Sequence, residues 1–233
     1  DKIFQMVAGW DVDGVIAVSF SRRNCEKIYQ LIKKPIVSID AYGELEDGEE
    51  NHVINIGLDD ESGGYQMTKY LLECGYEEIK VCAGRDSGVD HLRYLGAERA
   101  MREVAAENQK MQFVPLGMNY EKRKSNYDWL IRRRKPKTAL FFLSDMYALE
   151  AIRFCADKGV LVPDDIGVAG YDDISYAEYS TPRLTTVKQD VEWKAKLAVQ
   201  TVMRWINSGE PAGEQEIELP VTLVKRKSVI EQP

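Results

Sequence analysis

Val162-Pro163-Asp164-Asp165-Ile166-Gly167-Val168-Ala169-Gly170-Tyr171-Asp172-Asp173 holds a short apolar strand, Ile166 to Ala169, that stops on a glycine, a tyrosine and two carboxylates. Open α/β sheets bind ligands at the carboxyl ends of their strands, so Asp172 stands where a ligand contact is expected. A carboxylate there can accept hydrogen bonds from two hydroxyls of a sugar. The alternative is a structural carboxylate capping a turn, which is the better reading of Asp173.

Outward from this stretch, short β-branched or aromatic runs alternate with helical patterns. Strands are expected at Val15 to Phe20, Pro35 to Ile39, Val53 to Ile56, Ile79 to Ala83, Phe113 to Leu116 and Ala139 to Leu143. Between them, Met67, Tyr70, Leu71 and Cys74 recur at helical spacing before Gly75. A second helical face carries Tyr94, Ala97, Met101, Val104 and Ala105, and a third helix runs from Met146 to Lys158. This order predicts an α/β protein with doubly wound parallel sheets covered on both faces.

The end of the chain is different. Thr181-Pro182-Arg183-Leu184-Thr185-Thr186-Val187-Lys188-Gln189 leads into one long helix, Val191 to Asn207, and then a short strand pair around Pro220. A two-lobed protein whose chain crosses back between lobes near its end has this order. The expected lobes are residues 1–57 with 191–218, and 58–190 with 219–233. A cleft between lobes is then the expected ligand site.

Composition narrows the function. The chain is 44% hydrophobic with a net charge of -7, which suits a globular fold and opposes binding to a polyanion. No apolar run approaches the roughly 20 residues that span a bilayer, so no membrane partner is expected and the cytoplasm is. Cys25, Cys74, Cys82 and Cys155 lack the close spacing of a metal site and read as buried, reduced thiols. The run Arg132-Arg133-Arg134-Lys135-Pro136-Lys137 follows an apolar helix stripe and reads as a solvated helix end. Glu44 to Glu50 reads as a solvated acidic loop. His52 and His91 fall in no nucleophile or metal pattern, and no Walker loop or GxGxxG is present, so neither an enzyme nor a cofactor is expected.

The opening stretch and the Thr181 to Gln189 segment together resemble the signature of the LacI/GalR regulators' effector domain. Other similar pieces occur in order: Asp13-Gly14-Val15-Ile16, Pro35 to Asp40, Asp59 to Gly64, Arg93-Tyr94-Leu95-Gly96-Ala97, Ala139 to Ala148, and Leu219 to Lys227. The resemblance covers nearly the whole chain, although Tyr76 stands where the family usually has a histidine, which reads as a packing change.

The resemblance implies the periplasmic-binding-protein type I fold, a homodimer, and a small-molecule effector, a sugar or sugar derivative, whose binding modulates operator DNA affinity. It also implies that a helix-turn-helix headpiece, a hinge and the first strands of the N-terminal lobe precede Asp1, leaving that lobe incomplete here. Residue by residue, it assigns effector contacts to Asp172, to Arg93 ahead of the Tyr94 helix, and to Tyr120, whose ring would pack on the ligand. A surface arginine is the alternative for Arg93, and a partly buried loop tyrosine for Tyr120. Asp40 and Ser144, at strand ends, are further polar contacts. Ser144 replaces the family's usual asparagine or glycine. The Gly84 to Val89 loop could add Arg85 or Ser87. Asp59 and Asp145 read as organisers of turns and helix starts. A sugar carrier of the same fold, serving transport or chemotaxis, is the rival function.

Overall fold

The structure is a computed structural model that describes residues 2–230 apart from 47, 85–87 and 212. In chain order its elements are α1 (Lys2–Gly9), β1 (Val15–Val18), α2 (Arg22–Ile32), β2 (Ile36–Ile39), β3 (Ile54–Leu58), α3 (Asp60–Glu73), β4 (Glu78–Ala83), α4 (Gly88–Val104) and β5 (Lys110–Pro115). They continue with α5 (Tyr120–Arg132), β6 (Thr138–Phe142), α6 (Asp145–Asp157), β7 (Gly167–Ala169), α7 (Ser175–Tyr179), β8 (Thr186–Lys188), α8 (Val191–Ser208), β9 (Glu216–Leu219) and β10 (Thr222–Val224). They form two compact units, Asp1–Asp59 with Asp190–Pro220, and Asp60–Gln189 with Val221–Pro233.

The first unit is built on a parallel sheet in the order β1-β2-β3-β9. Every residue of β2 is buried, which is why it does not alternate: three of its four residues are apolar and the fourth, Ser38, is hydrogen-bonded. On one face Ala17, Cys25, Ile28, Ile36 and Val53 make a small core under α2. A polar row crosses the sheet within this unit. Ser38 donates to Asn55 at 2.9 Å, Asn55 donates to Glu216 at 3.0 Å, and Arg22 of α2 pairs with Glu216. Helix α8 starts at Asp190, whose side chain accepts from the Trp193 amide, and stops at Gly209 in the left-handed conformation.

The second unit has a parallel sheet in the order β5-β4-β6-β7 and a two-stranded antiparallel ribbon of β8 and β10. Helices α5 and α6 cover one face over a core that includes Tyr127, Leu130, Phe142, Phe154 and Val168. Helices α3 and α4 pack closely against each other because glycine removes the side chain at two contact points. A Cβ on Gly64 would lie 1.8 Å from the Arg93 carbonyl oxygen, and one on Gly96 would lie 1.8 Å from that of Glu61.

Three expectations need correction. The strands flanking Pro220 do not pair with each other: β9 joins the first unit's sheet and β10 joins the second unit's ribbon. Strand β5 starts three residues before Phe113. It is an edge strand with mostly exposed side chains, so it lacks the apolar run that marks β6 and the Val81 to Ala83 end of β4. Helix α4 begins at Gly88 rather than after Arg93, with Asp90 favourably placed in its first turn.

Several local readings agree with the structure. All four cysteines are free and buried. Arg134 caps the Ile131 carbonyl, Arg132 pairs with Asp128 one turn back, and Lys135 and Lys137 reach Glu78 and Glu77, so the basic run is a paired helix end. The buried Tyr76 accepts from the Ile230 amide and packs where a Cβ on Gly167 would stand. The described part of the acidic segment is loop, with Glu46 and Glu49 paired to Arg23. Among the described residues, no helix is long and apolar enough to cross a membrane.

Candidate functional site

The opening stretch builds a polar cluster at the carboxyl ends of β6 and β7. Past β7 the backbone passes through Gly170, where a Cβ would strike the Asp145 carboxylate, and then Asp172 and Asp173 adopt φ of 120° and 54°. Two successive residues in the positive-φ region are costly, and aspartate tolerates this better than most side chains. The turn splits the acid pair. Asp173 forms an ion pair with Arg226 at 2.7 Å, whereas Asp172 joins the cluster. Asp173 is therefore structural, through an ion pair rather than a backbone cap.

Asp172 accepts from the Ser144 hydroxyl at 3.0 Å and from the Gln189 amide at 2.7 Å, and its Oδ1 lies 3.8 Å from a guanidinium nitrogen of Arg93. Burial pushes its carboxyl pKa up, while Arg93 and Ser144 pull it down. Its side chain stays 27% exposed.

Arg93 is buried, which removes the surface-arginine alternative. It sits inside α4, and the close approach at Gly64 and Gly96 brings it to α3. Its Nε donates to Asp60 at 2.8 Å, its Nη1 donates to the Leu143 carbonyl at 2.7 Å, and its guanidinium lies 3.8 Å from the centre of the Tyr171 ring. The fork is thus fixed in place by carboxylate, carbonyl and aromatic face before any ligand arrives.

Ser144 is the N-cap residue of α6, but its hydroxyl serves Asp172 rather than the helix. The next residue, Asp145, is fully buried. It accepts from the Thr186 hydroxyl at 2.6 Å and from the Ile174 amide at 3.0 Å, tying α6 to β8 and to the start of α7. Burial is the main cause that pushes its carboxyl up to about 7; the Thr186 hydrogen bond opposes the shift, and the charge of Asp172 adds to it.

Asp40 ends β2 in the first unit, with φ of 51° and its Oδ2 2.6 Å from the ammonium of Lys194. Lys194 is buried in the first turn of α8. Tyr120 is the first residue of α5, 48% exposed and not a member of the Arg93 cluster. Arg85 and Ser87 lie outside the described residues. The structure therefore gathers Asp172, Arg93 and Ser144, leaves Tyr120 apart, and sets Asp40 in an ion pair of its own.

The sequence reading missed Asp60, Tyr171, Gln189 and Lys194. For Lys194 a signal existed, because a cation in a helix's first turn opposes the helix dipole and calls for a nearby carboxylate. Among the described residues, no group of three or more His, Cys, Asp or Glu is placed to hold a metal ion.

Known proteins resemble this chain throughout. The family model described as "Periplasmic binding protein-like domain" matches residues 68–229. The HTH-type transcriptional repressor PurR of Haemophilus influenzae is 32% identical over 177 residues, covering 74% of this chain and 53% of that protein. The probable HTH-type transcriptional repressor ExuR of Bacillus subtilis is 27% identical over 226 residues, 93% of this chain and 65% of its own. The chain thus spans between about half and two thirds of these relatives. Among solved structures, a ribose-bound LacI family transcriptional regulator from Enterococcus faecium superposes with a TM-score of 0.83 at 22% identity, covering 100% of this chain and 85% of that one. A complex of the transcriptional regulator CelR with cellobiose gives 0.79 at 26%, covering 97% and 69%.

Proposed function

Since the chain belongs to the periplasmic binding protein-like domain family, in the form its LacI-type relatives carry, we propose that it is the effector-sensing part of a bacterial transcription regulator. The observation that carries this reading is the Arg93 cluster. It combines a guanidinium fixed on three sides with a partly exposed carboxylate, at the strand ends where such sheets take ligands. A polyhydroxylated small molecule suits it, because Asp172 accepts from hydroxyls and Arg93 donates.

Asp172, Arg93 and Ser144 are assigned as effector contacts, with Asp40 and Tyr120 as further contacts from their own elements. Gln189 holds Asp172 from the segment that leads into α8. That connection supplies a route by which an occupied site biases the chain between two states, and coupling of about 1–3 kcal/mol would change operator affinity roughly 5- to 150-fold. The whole protein is proposed to be a cytoplasmic homodimer whose operator contacts lie outside these acidic 233 residues. The role is binding rather than catalysis, in keeping with relatives that are named repressors.

Calorimetry with a panel of neutral sugars, sugar acids and nucleobases tests the assignment. A saturable binder whose heat disappears in Asp172→Ala is the expected result. A binder unaffected by Asp172→Ala would overturn the site.

A further inference from the structure

Arg93 and Tyr94 are successive residues of α4, about 100° apart around the helix, and they serve different flanks of it. Arg93 turns to α3 and Tyr171. Tyr94 turns to β5, where its ring meets Phe113 edge-on, with centroids 5.1 Å apart and planes at 71°. Beside this pair is a cavity of about 800 Å³ walled by Tyr94, Phe113, Leu116 and Met118. Phe113 and Met118 are 41% and 65% exposed, so the walls are open to a ligand. Of the groups around Arg93 only Asp90, whose Oδ1 lies 3.8 Å from Arg93 Nη1, lines this cavity; Ser144, Gln189, Asp60 and Asp172 do not, so the cavity adjoins the Arg93 cluster without sharing its centre.

The polar groups set the charge preference. Asp90 and Glu98 line the cavity with His91 between them on the same helix; Asp90 is paired with Arg93 at 3.8 Å, and no lysine or arginine lines the cavity itself among the described residues. Glu98 is held beside the Tyr94 hydroxyl, where the two hydrogen-bond and the carboxylate raises the phenol's pKa after burial has done so. With Asp90 compensated by Arg93, Glu98 is the carboxylate that sets the preference: over aromatic faces it attracts an organic cation twice, by ion pairing and by the ring quadrupoles, and it repels an anion. The volume lies within the range of small-molecule pockets and far exceeds what one metal ion or water needs.

We propose that this cavity is a second small-molecule site, adjoining the effector cluster, that takes a primary amine carried on an aromatic or apolar body. The site recognises the amine through Glu98 and the body through Tyr94, Phe113, Leu116 and Met118.

The test uses three indoles of similar shape and different charge: tryptamine, neutral tryptophol and anionic indole-3-acetate, titrated calorimetrically into the 233-residue chain. Tryptamine is expected to bind with a dissociation constant of roughly millimolar or tighter, ahead of tryptophol, with indole-3-acetate weakest. Glu98→Gln should weaken tryptamine about three- to fivefold and leave tryptophol unchanged. Phe113→Ser, at an exposed position that spares the fold, should weaken all three. Asp172→Ala should leave tryptamine binding intact, which separates this site from the effector assignment. The proposal is overturned by absence of saturable tryptamine binding, by equal affinity for indole-3-acetate, or by loss in Asp172→Ala without loss in Glu98→Gln. It is also overturned if Phe113→Ser abolishes self-association in sedimentation while no amine binds, since that face would then join copies of the chain.

Discussion

Two arginines in the second unit are set in similar chemistry and differ in what they leave open. Arg123 of α5 grips Glu150 of α6 with both Nε and Nη2, at 2.7 and 2.8 Å, and Tyr127 donates to the same carboxylate at 2.8 Å. Its remaining nitrogen holds the Met118 carbonyl at 3.1 Å, and its guanidinium lies 5.0 Å from the Tyr147 ring centre. Charge is matched one to one, and the geometry is the bidentate form that arginine favours. Arg93 instead makes a single bond to Asp60 and one to a carbonyl, with Asp172 standing at 3.8 Å. One cation there faces three carboxylates, since Asp90 also lies 3.8 Å from its Nη1, and that of Asp172 is partly exposed. The first arrangement is closed and structural; the second leaves negative charge unmatched, which suits the binding role proposed for it.

The comparison breaks most visibly if Arg93 is removed. Arg93→Leu strands the buried carboxylate of Asp60 and deprives Asp172 of its only nearby cation among the described residues. A loss of about 3–5 kcal/mol is expected in urea unfolding of the chain. A loss under 1 kcal/mol would mean that Asp60 finds water or a proton without cost, and the cluster would not be pre-organised.

Protons separate the two clusters next. Asp145, beside Asp172, keeps its proton in the folded chain up to about pH 7, whereas the unfolded chain loses it near pH 4. The folded state then binds more protons across that window, so stability falls as pH rises from about 4 to about 7, and Asp172 acts in the same direction. Glu150 acts oppositely. Arg123 holds its pKa below the ordinary value, so its contribution is present above the unfolded pKa and fades as acid titrates the folded carboxylate. Asp145→Asn keeps one acceptor oxygen and places an NH2 at the other, so it costs one of the bonds from Thr186 and Ile174 at every pH, but with nothing to titrate it should flatten the pH 4–7 decline by at least tenfold in the folding equilibrium. An unchanged slope in urea midpoints across that range would remove Asp145 from the account.

Arg123→Met tests the closed cluster. Glu150 keeps Tyr127 as a donor and is less deeply buried than Asp60, so about 2 kcal/mol of destabilisation is expected by the same urea measurement. Because Arg123 also holds the Met118 carbonyl, tryptamine affinity should fall together with stability. Intact affinity would show that the Met118 wall is held by the remaining loop contacts.

What was legible in the sequence follows from these local rules. Strand β6 and most of β4 were visible because a buried parallel strand is largely apolar on both faces, Lys80 of β4 being the buried exception, while the half-solvated edge strand β5 was visible only at its apolar end. Asp172 was legible because it stands directly past an apolar strand. Asp60 was not, since an acid in a helix's first turn is already explained by the dipole, and only its approach to Arg93 gives it a further role. That approach rests on Gly64 and Gly96, contacts between residues about thirty apart in the chain, which no local pattern encodes. Tyr120 illustrates the opposite case. The family resemblance assigned it to the ligand, but its helix start holds it apart from the cluster.

The smallest effect is therefore the sharpest for the site's extent. Tyr120 is half exposed, and Tyr120→Ser should change stability by no more than about 0.5 kcal/mol. Should its ring pack on a bound sugar or base, affinity for that ligand falls about three- to tenfold, the worth of one aromatic contact. Titrating the ligand found by calorimetry into Tyr120→Ser and Asp172→Ala side by side distinguishes the cases. Loss in both extends the effector site from the Arg93 cluster to the start of α5. Loss in Asp172→Ala alone confines it to the carboxyl ends of β6 and β7, where the Arg93 cluster already sits.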